Sequence, residues 1–585
     1  MPLSTSGKLD RRALPAPRFD ADRPEREATA PRTGTERELA RIWAEVLGAR
    51  AVGVDDNFFE LGGDSILSIQ IVSRARRAGL ALTSRDVFLH QTVAELAAAV
   101  TPRDAPDVTH REPADVAGPA PLTPIQHWFF ATHGALRHFT MSMVLELPHD
   151  LDEGALETAL NAVVAHHPAL RTRFVRGDDG EWRQLADRAA DGPLLRRHDP
   201  SEAADAEEAA AEAARAELDL TTGALLRGVL LRRGAGARPR LFLTVHHLAV
   251  DSVSWRILLG DLESAYRQAA AGEPVCLEPA STPFTTWAHR LGERVREGLL
   301  DGDLAYWDGV RRAGGADLPV DHPGTATSGS THTVRVRLDR ETTDGLLRRV
   351  PGVYRTQIND VLMSALGRVL SGWTGEDRVL VAMEGHGREE LDSAVDLSRT
   401  VGWFTTQYPV ALTLPGDGWG VVLKSVKEQL RALPHRGLSY EALAYLSAPD
   451  SPARALAGAP LPGVCFNYHG QWDSAGDDGA FTLTGETLGR DLAADEPSVY
   501  PLDVSAVVAA GELELTWVFS DRVHDVATVR GLADGMLTAL REIVAHCDGP
   551  GAGGRTPPTS PWPGWTRTPS TGWWATGGRS RTSIR

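Results

Sequence analysis

Two adjacent histidines, His246 and His247, come directly after a run of apolar and β-branched residues from 241 to 245. Such a run predicts a buried strand, which would hold the imidazoles rigidly at the sheet edge. Imidazole is the side chain best suited to moving protons near neutral pH. A bare histidine pair is usually structural, but Asp251 follows His247 by four residues and Ser254 then leads into a helical pattern. Proton transfer is therefore the favoured interpretation.

Glu384 is a second candidate for proton chemistry, and it also follows an apolar run, residues 378–383. Gly385 and Gly387 allow the chain to turn sharply after the predicted strand, which would place the carboxylate at the end of that strand. The spacing alone does not show that Glu384 faces His247, and exposure is the usual fate of a glutamate.

Ser65 is a candidate of a different kind, because it follows Gly62 and Gly63 and opens an amphipathic helical pattern. A serine at a helix N-terminus lies beside free N–H groups and the positive end of the helix dipole, which favour a phosphate ester. Taken alone it is an ordinary helix cap. The preceding helical pattern is predicted to be capped by Thr35.

The composition is that of globular domains, with 42% hydrophobic and 24% charged residues. A chain of 585 residues predicts three or four domains. The net charge of −17 argues against nucleic acid and anionic membranes as partners. The three dispersed cysteines predict a reducing, cytoplasmic location. The sequence has no cysteine and histidine spacing typical of a zinc site, so we expect no metal. It has no run of about 18 apolar residues, so we expect no membrane span.

Several motifs resemble those of nonribosomal peptide synthetases. HHLAVDSVSW (246–255), EGHGRE (384–389), FNYHGQ (466–471) and PIQHWFF (124–130) resemble epimerization domains of the condensation superfamily. TVGWFTTQYPV matches a further family motif, whereas PHRGLSYE departs from PxxGxGYG by placing Ser439 and Glu441 at glycine positions. DNFFELGGDSILSIQ (56–70) resembles the carrier-protein signature.

This resemblance implies an α+β chain: a small four-helix carrier bundle, then a two-lobed, chloramphenicol-acetyltransferase-like epimerization domain with a central channel. The implied divisions are 1–20 (tail of an upstream adenylation domain, including Lys8), 21–33 (linker), 34–100 (peptidyl carrier protein), 101–119 (linker), 120–547 (epimerization domain, with lobes of about 120–325 and 326–547) and 548–585. The last segment is rich in Trp, Pro and Arg, and we expect either disorder or a shifted reading frame.

The resemblance also implies roles for individual residues. His247 and Glu384 would exchange the α-proton from opposite faces of the substrate. Tyr468 and Asn467 would stabilise the developing enolate or relay a proton. Asp251 would support the loop structurally through an arginine, for which Arg388 is the candidate.

We expect His246 to be structural and Ser65 to carry covalently attached phosphopantetheine. The implied function is epimerization of an L-aminoacyl or peptidyl thioester to the D-configuration. The alternatives are a condensation domain that forms peptide bonds, or a non-catalytic carrier and docking fragment. The implied partners are a phosphopantetheinyl transferase, an upstream adenylation domain and a downstream condensation domain of another synthetase module. The amino acid carried is not readable from the sequence.

Overall fold

The computed structural model describes thirteen stretches of the chain. They are residues 29–49, 51–59, 61–63, 65–100, 119–186, 192–199, 205–234, 236–279, 281–314, 318–389, 395–416, 418–471 and 480–554. The predicted adenylation tail, most of both linkers and the final 31 residues lie outside this part of the chain, as does the side chain of Ser65.

Residues 29–100 form a helical unit. Its α-helices are α1 (Gly34–Leu47), α2 (Ser65–Arg77), α3 (Ser84–Leu89) and α4 (Val93–Ala99). Helix α1 is capped by Thr33 and not by Thr35: Thr33 Oγ1 accepts from the N–H of Glu36 at 3.1 Å, and Glu36 Oε2 accepts from the N–H of Thr33 at 2.8 Å. Thr35 also has a glutamate three residues later, but this residue, Glu38, accepts hydrogen bonds from Arg41, whereas Thr33 and Glu36 form the reciprocal capping box.

The first half of the remaining chain builds most of a five-stranded sheet in the order β11-β1-β6-β5-β4, of which β11 (Thr482–Leu483) comes from the second half; β2 and β3 form a separate two-stranded sheet. Its elements are α5 (Pro124–His133), β1 (Thr140–Glu146), α6 (Glu153–His166), β2 (Thr172–Arg176), β3 (Trp182–Ala186), β4 (Leu195–His198), α7 (Ala206–Ala216), β5 (Leu226–Leu231), β6 (Arg240–His246), α8 (Ser252–Ala270), α9 (Phe284–Arg296) and α10 (Leu304–Ala313). We call this sheet and its packed helices lobe 1. Strand β6 is central and buried, as its apolar run predicts.

The second half builds a six-stranded sheet in the order β7-β13-β12-β10-β8-β9, which with its packed helices we call lobe 2. Its elements are β7 (Thr331–Leu338), α11 (Arg340–Asp344), α12 (Val350–Tyr354), α13 (Ile358–Thr374), β8 (Arg378–Gly385), β9 (Thr406–Thr413), α14 (Trp419–Arg431), α15 (Leu438–Leu446), β10 (Val464–Gln471), β11 (Thr482–Leu483), β12 (Leu502–Ala509), β13 (Glu512–Ser520) and α16 (Val526–Asp548). None of the described helices is long and apolar enough to cross a membrane.

The two faces of the lobe 2 sheet differ because side chains alternate along each strand. On β8, Val381 and Met383 point into the large core beneath α13, α14 and α16, whereas Glu384 points to the opposite face. Strand β10 is parallel to β8 and pairs Cys465 with Ala382, so Asn467 lies next to Glu384 on this second face. The second face is the one that carries polar residues suited to chemistry.

The lobes exchange elements. The aromatic side chains of α9 and α10, including Trp287 and Trp307, belong to the core of lobe 2. In the other direction, β11 pairs with β1 of lobe 1, and Trp403 packs into the lobe 1 core. The boundary near residue 325 drawn from the sequence therefore does not coincide with the boundary between the two cores. Hydrophobic periodicity identifies a buried face but not the core that receives it.

Candidate active site

His247 lies directly after β6, where the chain enters a single 3₁₀ turn. Its backbone N–H donates to Phe139 O at 2.9 Å, and its ring packs on Trp403 with centroids 4.4 Å apart. The residue as a whole is partly exposed. Nδ1 is buried and has no hydrogen-bond partner of good geometry among the described residues. The imidazole is thus oriented by packing.

Burial lowers the pKa of His247, although the nearby carboxylates of Asp251 and Asp491 act in the opposite direction. The neutral imidazole, which accepts a proton, is therefore the favoured form. His246 is different: it is fully buried, accepts from Leu248 N through Nδ1 (3.2 Å) and contacts Leu136 O through Nε2 (2.9 Å). With both nitrogens engaged, His246 has the structural setting expected of it.

Glu384 lies near the end of β8 and is half-buried. Asn467 Nδ2 donates to its Oε2 at 2.6 Å. The pKa of Glu384 is raised to about 7, mainly by burial and also by the negative charge of Asp503, against the lowering effect of the Asn467 hydrogen bond. A carboxyl group with this pKa is well matched to proton transfer near neutrality in either direction.

A buried ion pair joins the two lobes between these candidates. Arg388 Nη2 donates to Asp251 Oδ1 at 3.0 Å and to Oδ2 at 3.3 Å. Asp251 also caps α8 by accepting from Ser254 N at 2.7 Å. Each member of the pair lies four residues after one candidate, Asp251 after His247 and Arg388 after Glu384. The contact expected between Asp251 and an arginine is therefore present, and it brings the two motifs together. We call the Asp251–Arg388 pair and the residues that contact it the seam.

A second connection between the candidates runs through the segment from Trp403 to Gln407. Trp403 packs on His247, and Gln407 pairs with Glu384 across the β8–β9 ladder. Phe404 lies between them; its N–H donates to Asp251 Oδ2 at 3.1 Å. Four residues span at most about 14 Å, so the residue that packs on His247 and the residue that pairs with Glu384 are close together in the chain. Sequence analysis recognised this motif but assigned it no role.

The structure separates Asn467 from Tyr468, which the sequence grouped together. Asn467 lies beside Glu384, whereas Tyr468 alternates to the other face of the sheet and packs against the lobe 2 core. The period of two along a strand causes this difference. The structure thus brings Asn467 to Glu384 and directs Tyr468 away from that face.

Two further carboxyl groups influence Glu384, and sequence analysis missed both. Asp503 on β12 is exposed on the same sheet face. Glu441 on α15 is buried, and its Oε2 accepts from the N–H of Gln407 at 3.0 Å. Burial raises the pKa of Glu441 to about 8, with the charge of Glu384 acting in the same direction. The one available signal was the departure from the family pattern at position 441.

The same departure gives a different outcome at Ser439. Its Oγ accepts from Trp307 Nε1 at 2.9 Å, and both side chains are buried. The turn before it contains His435, Arg436 and Gly437, all with positive φ. Replacing glycine by serine therefore adds a core hydrogen bond at a position that already lies within α15.

The start of α2 fits a phosphopantetheine attachment site. Ser65 is the first residue of this 13-residue helix, where the positive end of the helix dipole favours a phosphate. Gly62 has a φ of 94°, and a Cβ on Gly63 would lie 2.4 Å from the ring of Phe58. The loop before Ser65 therefore requires glycine at both positions.

A metal site has weaker support. Among the described residues, one group has ligand atoms within 4.8 Å of one another: His166, His167 and Asp261. However, Asp261 accepts from Arg399 at 2.5 Å, and its other oxygen contacts His167 Nε2 at 2.9 Å. The guanidinium already supplies the positive charge that this carboxylate needs.

Comparison with known families identifies both units. A phosphopantetheine attachment site matches residues 37–100, and a condensation domain matches residues 116–558. The chain belongs to the condensation-domain family of nonribosomal peptide synthetases. In this condensation-family chain the helical unit is the carrier, and phosphopantetheine is its prosthetic group. The expected fold class, a helical carrier followed by a two-lobed α+β domain, is confirmed.

Relatives of this condensation-family chain include two large synthases. It is 43% identical to one of the linear gramicidin synthase subunits of Brevibacillus parabrevis over 572 residues, which is 96% of this chain and 11% of that protein. It is 42% identical to chondramide synthase cmdD of Chondromyces crocatus over 94% of this chain and 14% of that protein. The chain thus spans about a tenth of the length of these relatives.

A solved structure similar to this condensation-family chain is the epimerization domain from the third module of tyrocidine synthetase B. The TM-score is 0.68 at 33% identity, over 74% of this chain and 97% of that domain. The condensation domain of the Monacolin K polyketide synthase MokA matches with a TM-score of 0.59 at 20% identity, over 74% and 98% of the two chains. The second likeness supports the fold alone.

Proposed function

We propose that this chain epimerizes an aminoacyl or peptidyl thioester carried on Ser65, converting the L- to the D-configuration. The observation that carries the proposal is the placement of Glu384. It lies on the polar face of the lobe 2 sheet, has a pKa of about 7, and is tied to the His247 motif through the Arg388–Asp251 pair. The likeness to a solved epimerization domain supports the same conclusion.

The mechanism follows from the protonation states of the two groups. Between the lowered pKa of His247 and a pKa of about 7 for Glu384, the favoured state has a neutral imidazole and a protonated carboxyl group. In that state His247 accepts the α-proton from one face while Glu384 delivers its own proton to the other. The electron pair of the broken C–H bond forms the new one, and proton transfer from His247 back to Glu384, through water, restores the starting state.

The thioester bond to phosphopantetheine acidifies the α-proton by delocalising the negative charge onto the acyl oxygen. The chain must then hold the acyl group between the two residues. Asn467 fixes the Glu384 carboxyl group through its 2.6 Å hydrogen bond, and Trp403 fixes the imidazole ring. Asp251 acts as a positioning residue, because it touches the site only through Arg388 and the backbone. Fixed groups of this kind cost no reorganisation during the reaction.

Exchange of the α-hydrogen tests the proposal. The chain is loaded on Ser65 with an L-aminoacyl phosphopantetheine and incubated in D₂O, and the hydrolysed amino acid is analysed by mass and by chiral chromatography. We expect deuterium at the α-position and a mixture of D- and L-isomers. Ser65→Ala should prevent loading, and retention of unlabelled L-amino acid in the loaded wild-type chain would refute the proposal.

A condensation function is the second candidate, and the family match to a condensation domain favours it. It predicts that the loaded chain forms a peptide when a donor thioester on a separate carrier is supplied. That reaction needs the amine of the substrate at His247 and gives no role to Glu384. Peptide formation without α-exchange would select this candidate.

A non-catalytic carrier and docking fragment would show neither reaction.

The partners in our proposal are a phosphopantetheinyl transferase that modifies Ser65, an adenylation domain that supplies the acyl group and a condensation domain that receives the D-isomer. The three cysteines are free thiols, which fits the reducing cytoplasm that we propose as the location.

A further inference from the structure

The strand that holds Asn467 also touches the helical unit. At the end of β10, Gln471 Nε2 donates to the carbonyl oxygen of Gly62 at 2.7 Å, linking residues 409 positions apart. Gly62 lies three residues before Ser65. A Cβ on Gly62 would make only an ordinary contact with Gln471 Nε2, at 3.4 Å, so it is the φ of 94° that favours glycine here. One strand therefore contacts both the Glu384 carboxyl group and the loop that presents Ser65.

A bulge in β10 explains how one strand serves both contacts. Tyr468 pairs with Ala506 and Gln471 pairs with Val508, so three steps along β10 match two steps along β12. Gly470, with a φ of 80°, lies in this irregular stretch. Without the extra residue, Gln471 would lie on the same face as Asn467. The bulge turns Gln471 away from that face.

The end of β10 is fixed from lobe 1. Arg256, on α8, donates through Nη2 to the carbonyl oxygens of His469 and Gln471, both at 3.0 Å. Arg256 follows Asp251 by five residues on the helix that Asp251 caps. The position of Gln471 is thus set by the same helix that begins at the seam.

Other contacts hold the helical unit in the same orientation. Ser73 of α2 donates to Asp396 Oδ2 at 3.1 Å and accepts from Ser398 Oγ at 2.8 Å. Arg77 of α2 pairs with Glu278 of lobe 1. These contacts lie along α2, whereas Gln471 contacts the loop that precedes it. Gln471 therefore contacts the carrier unit three residues before Ser65.

We propose that Gln471 is a positioning residue that sets the register between the carrier loop and the catalytic carboxyl group. Its hydrogen bond to Gly62 O fixes the start of α2, and hence the origin of the prosthetic arm, relative to the Asn467–Glu384 pair on the same strand. The inference rests on the proposed function for its consequence in catalysis, but the docking contact itself is testable without it.

The first test uses the unloaded full-length chain with Ser65→Ala. Ser73→Cys and Ser398→Cys are introduced together with Cys276→Ser, and disulfide formation under mild oxidation reports how often the helical unit occupies this orientation. Gln471→Glu keeps the shape but removes the N–H donor, and should slow disulfide formation about tenfold, the effect of losing a hydrogen bond to a polar group. Gln471→Lys keeps a donor and should retain most of the rate.

Gln429→Glu is the matched control, because Gln429 Nε2 also donates to a backbone carbonyl, that of Thr413, at 2.9 Å within lobe 2. It should leave the disulfide rate at the parent value. Equal rates for Gln471→Glu and Gln429→Glu would overturn the docking role of Gln471.

The second test compares α-deuterium exchange of the acyl group on Ser65 with that of a free aminoacyl-pantetheine thioester. Gln471→Glu should reduce the tethered rate about tenfold more than the free rate, because only the tethered acyl group depends on the register. Equal reduction of both rates would overturn the positioning role. If the wild-type chain exchanges neither substrate, the proposed function fails, and the disulfide rates alone then decide the role of Gln471.

Discussion

The two candidate catalytic groups are held in similar ways but titrate in opposite directions. His247 directly follows β6 and Glu384 lies near the end of β8, and each precedes one member of the Asp251–Arg388 pair by four residues. Burial lowers the pKa of the imidazole and raises that of the carboxyl group to about 7. Desolvation disfavours charge on both, so the neutral pair is the favoured form and the return of a proton from His247 to Glu384 is downhill. An acid and a base of different chemistry are thereby matched by a similar environment.

The largest effect is expected when either group is removed. Glu384→Gln and His247→Ala should each lower α-deuterium exchange by about 10² to 10⁴-fold, the usual contribution of a placed acid or base. Loading of Ser65, measured by mass, should remain complete in both variants. Glu389→Gln changes a carboxyl group five residues further on and should retain exchange. Wild-type exchange in both His247→Ala and Glu384→Gln would show that the proton path lies elsewhere.

The sequence predicted the individual site residues better than the contacts between them. His247, Glu384 and the carrier serine are recognisable because each lies in a local motif beside a predicted strand or helix. The Trp403 and Gln407 contacts were not predictable, since they depend on how lobe 2 returns a segment to lobe 1. Tyr468 was grouped with Asn467 by motif, although strand alternation places them on opposite faces. Thr35 was chosen as a cap two residues late because the Thr33–Glu36 pair was overlooked.

The Asp251–Arg388 pair should matter most for stability. Both side chains are almost fully buried, and Arg388 also donates to the carbonyl oxygens of Leu397 and Thr400 at 2.8 and 2.6 Å. Arg388→Met leaves Asp251 buried without its cation and should reduce the free energy of unfolding by about 3–5 kcal/mol. Urea denaturation followed by tryptophan fluorescence measures this change.

Asp251→Asn in the Arg388→Met background sharpens that result. If the cost arises from an uncompensated carboxylate, the double variant should recover part of the lost stability. A double variant with the full sum of the two single losses would instead show that the residues act independently.

Glu441 should make stability depend on pH. Its folded-state pKa is about 8, above the ordinary value of 4.5. Below pH 4.5 both states bind the proton; as pH rises from 4.5 to 8 the unfolded state loses it first, so the folded state is progressively destabilised. Because each tenfold difference in proton affinity corresponds to about 1.4 kcal/mol, the effect should reach a few kcal/mol.

Glu441→Gln should therefore flatten the fall in unfolding free energy between pH 5 and pH 8, as measured by urea denaturation at both values. Glu376 is exposed, and Glu376→Gln serves as the control that should retain the wild-type slope. A Glu441→Gln chain that loses stability with pH as steeply as the control would mean that Glu441 is already ionised at neutral pH.

The smallest expected effects are shifts in the pH dependence of exchange. The active state carries one proton on the His247–Glu384 pair, so the rate should fall above about pH 7 as Glu384 ionises. We call this fall the alkaline limb of the pH–rate profile. The Asn467 hydrogen bond lowers the pKa of Glu384, so Asn467→Ala should move the alkaline limb to higher pH. The charge of Asp503 raises that pKa, so Asp503→Asn should move the limb to lower pH.

Tyr468→Phe completes the set, because its ring packs on the opposite face of the sheet. It should leave the alkaline limb near pH 7 and lower the maximal rate by less than about threefold, which corresponds to the weak end of the net contribution of one hydrogen bond. The reaction is followed by mass spectrometry from pH 5.5 to 9. If Asn467→Ala and Asp503→Asn move the alkaline limb in the same direction, the ionisation that causes it is that of a group other than Glu384. The proton donor at the seam would then be a different residue.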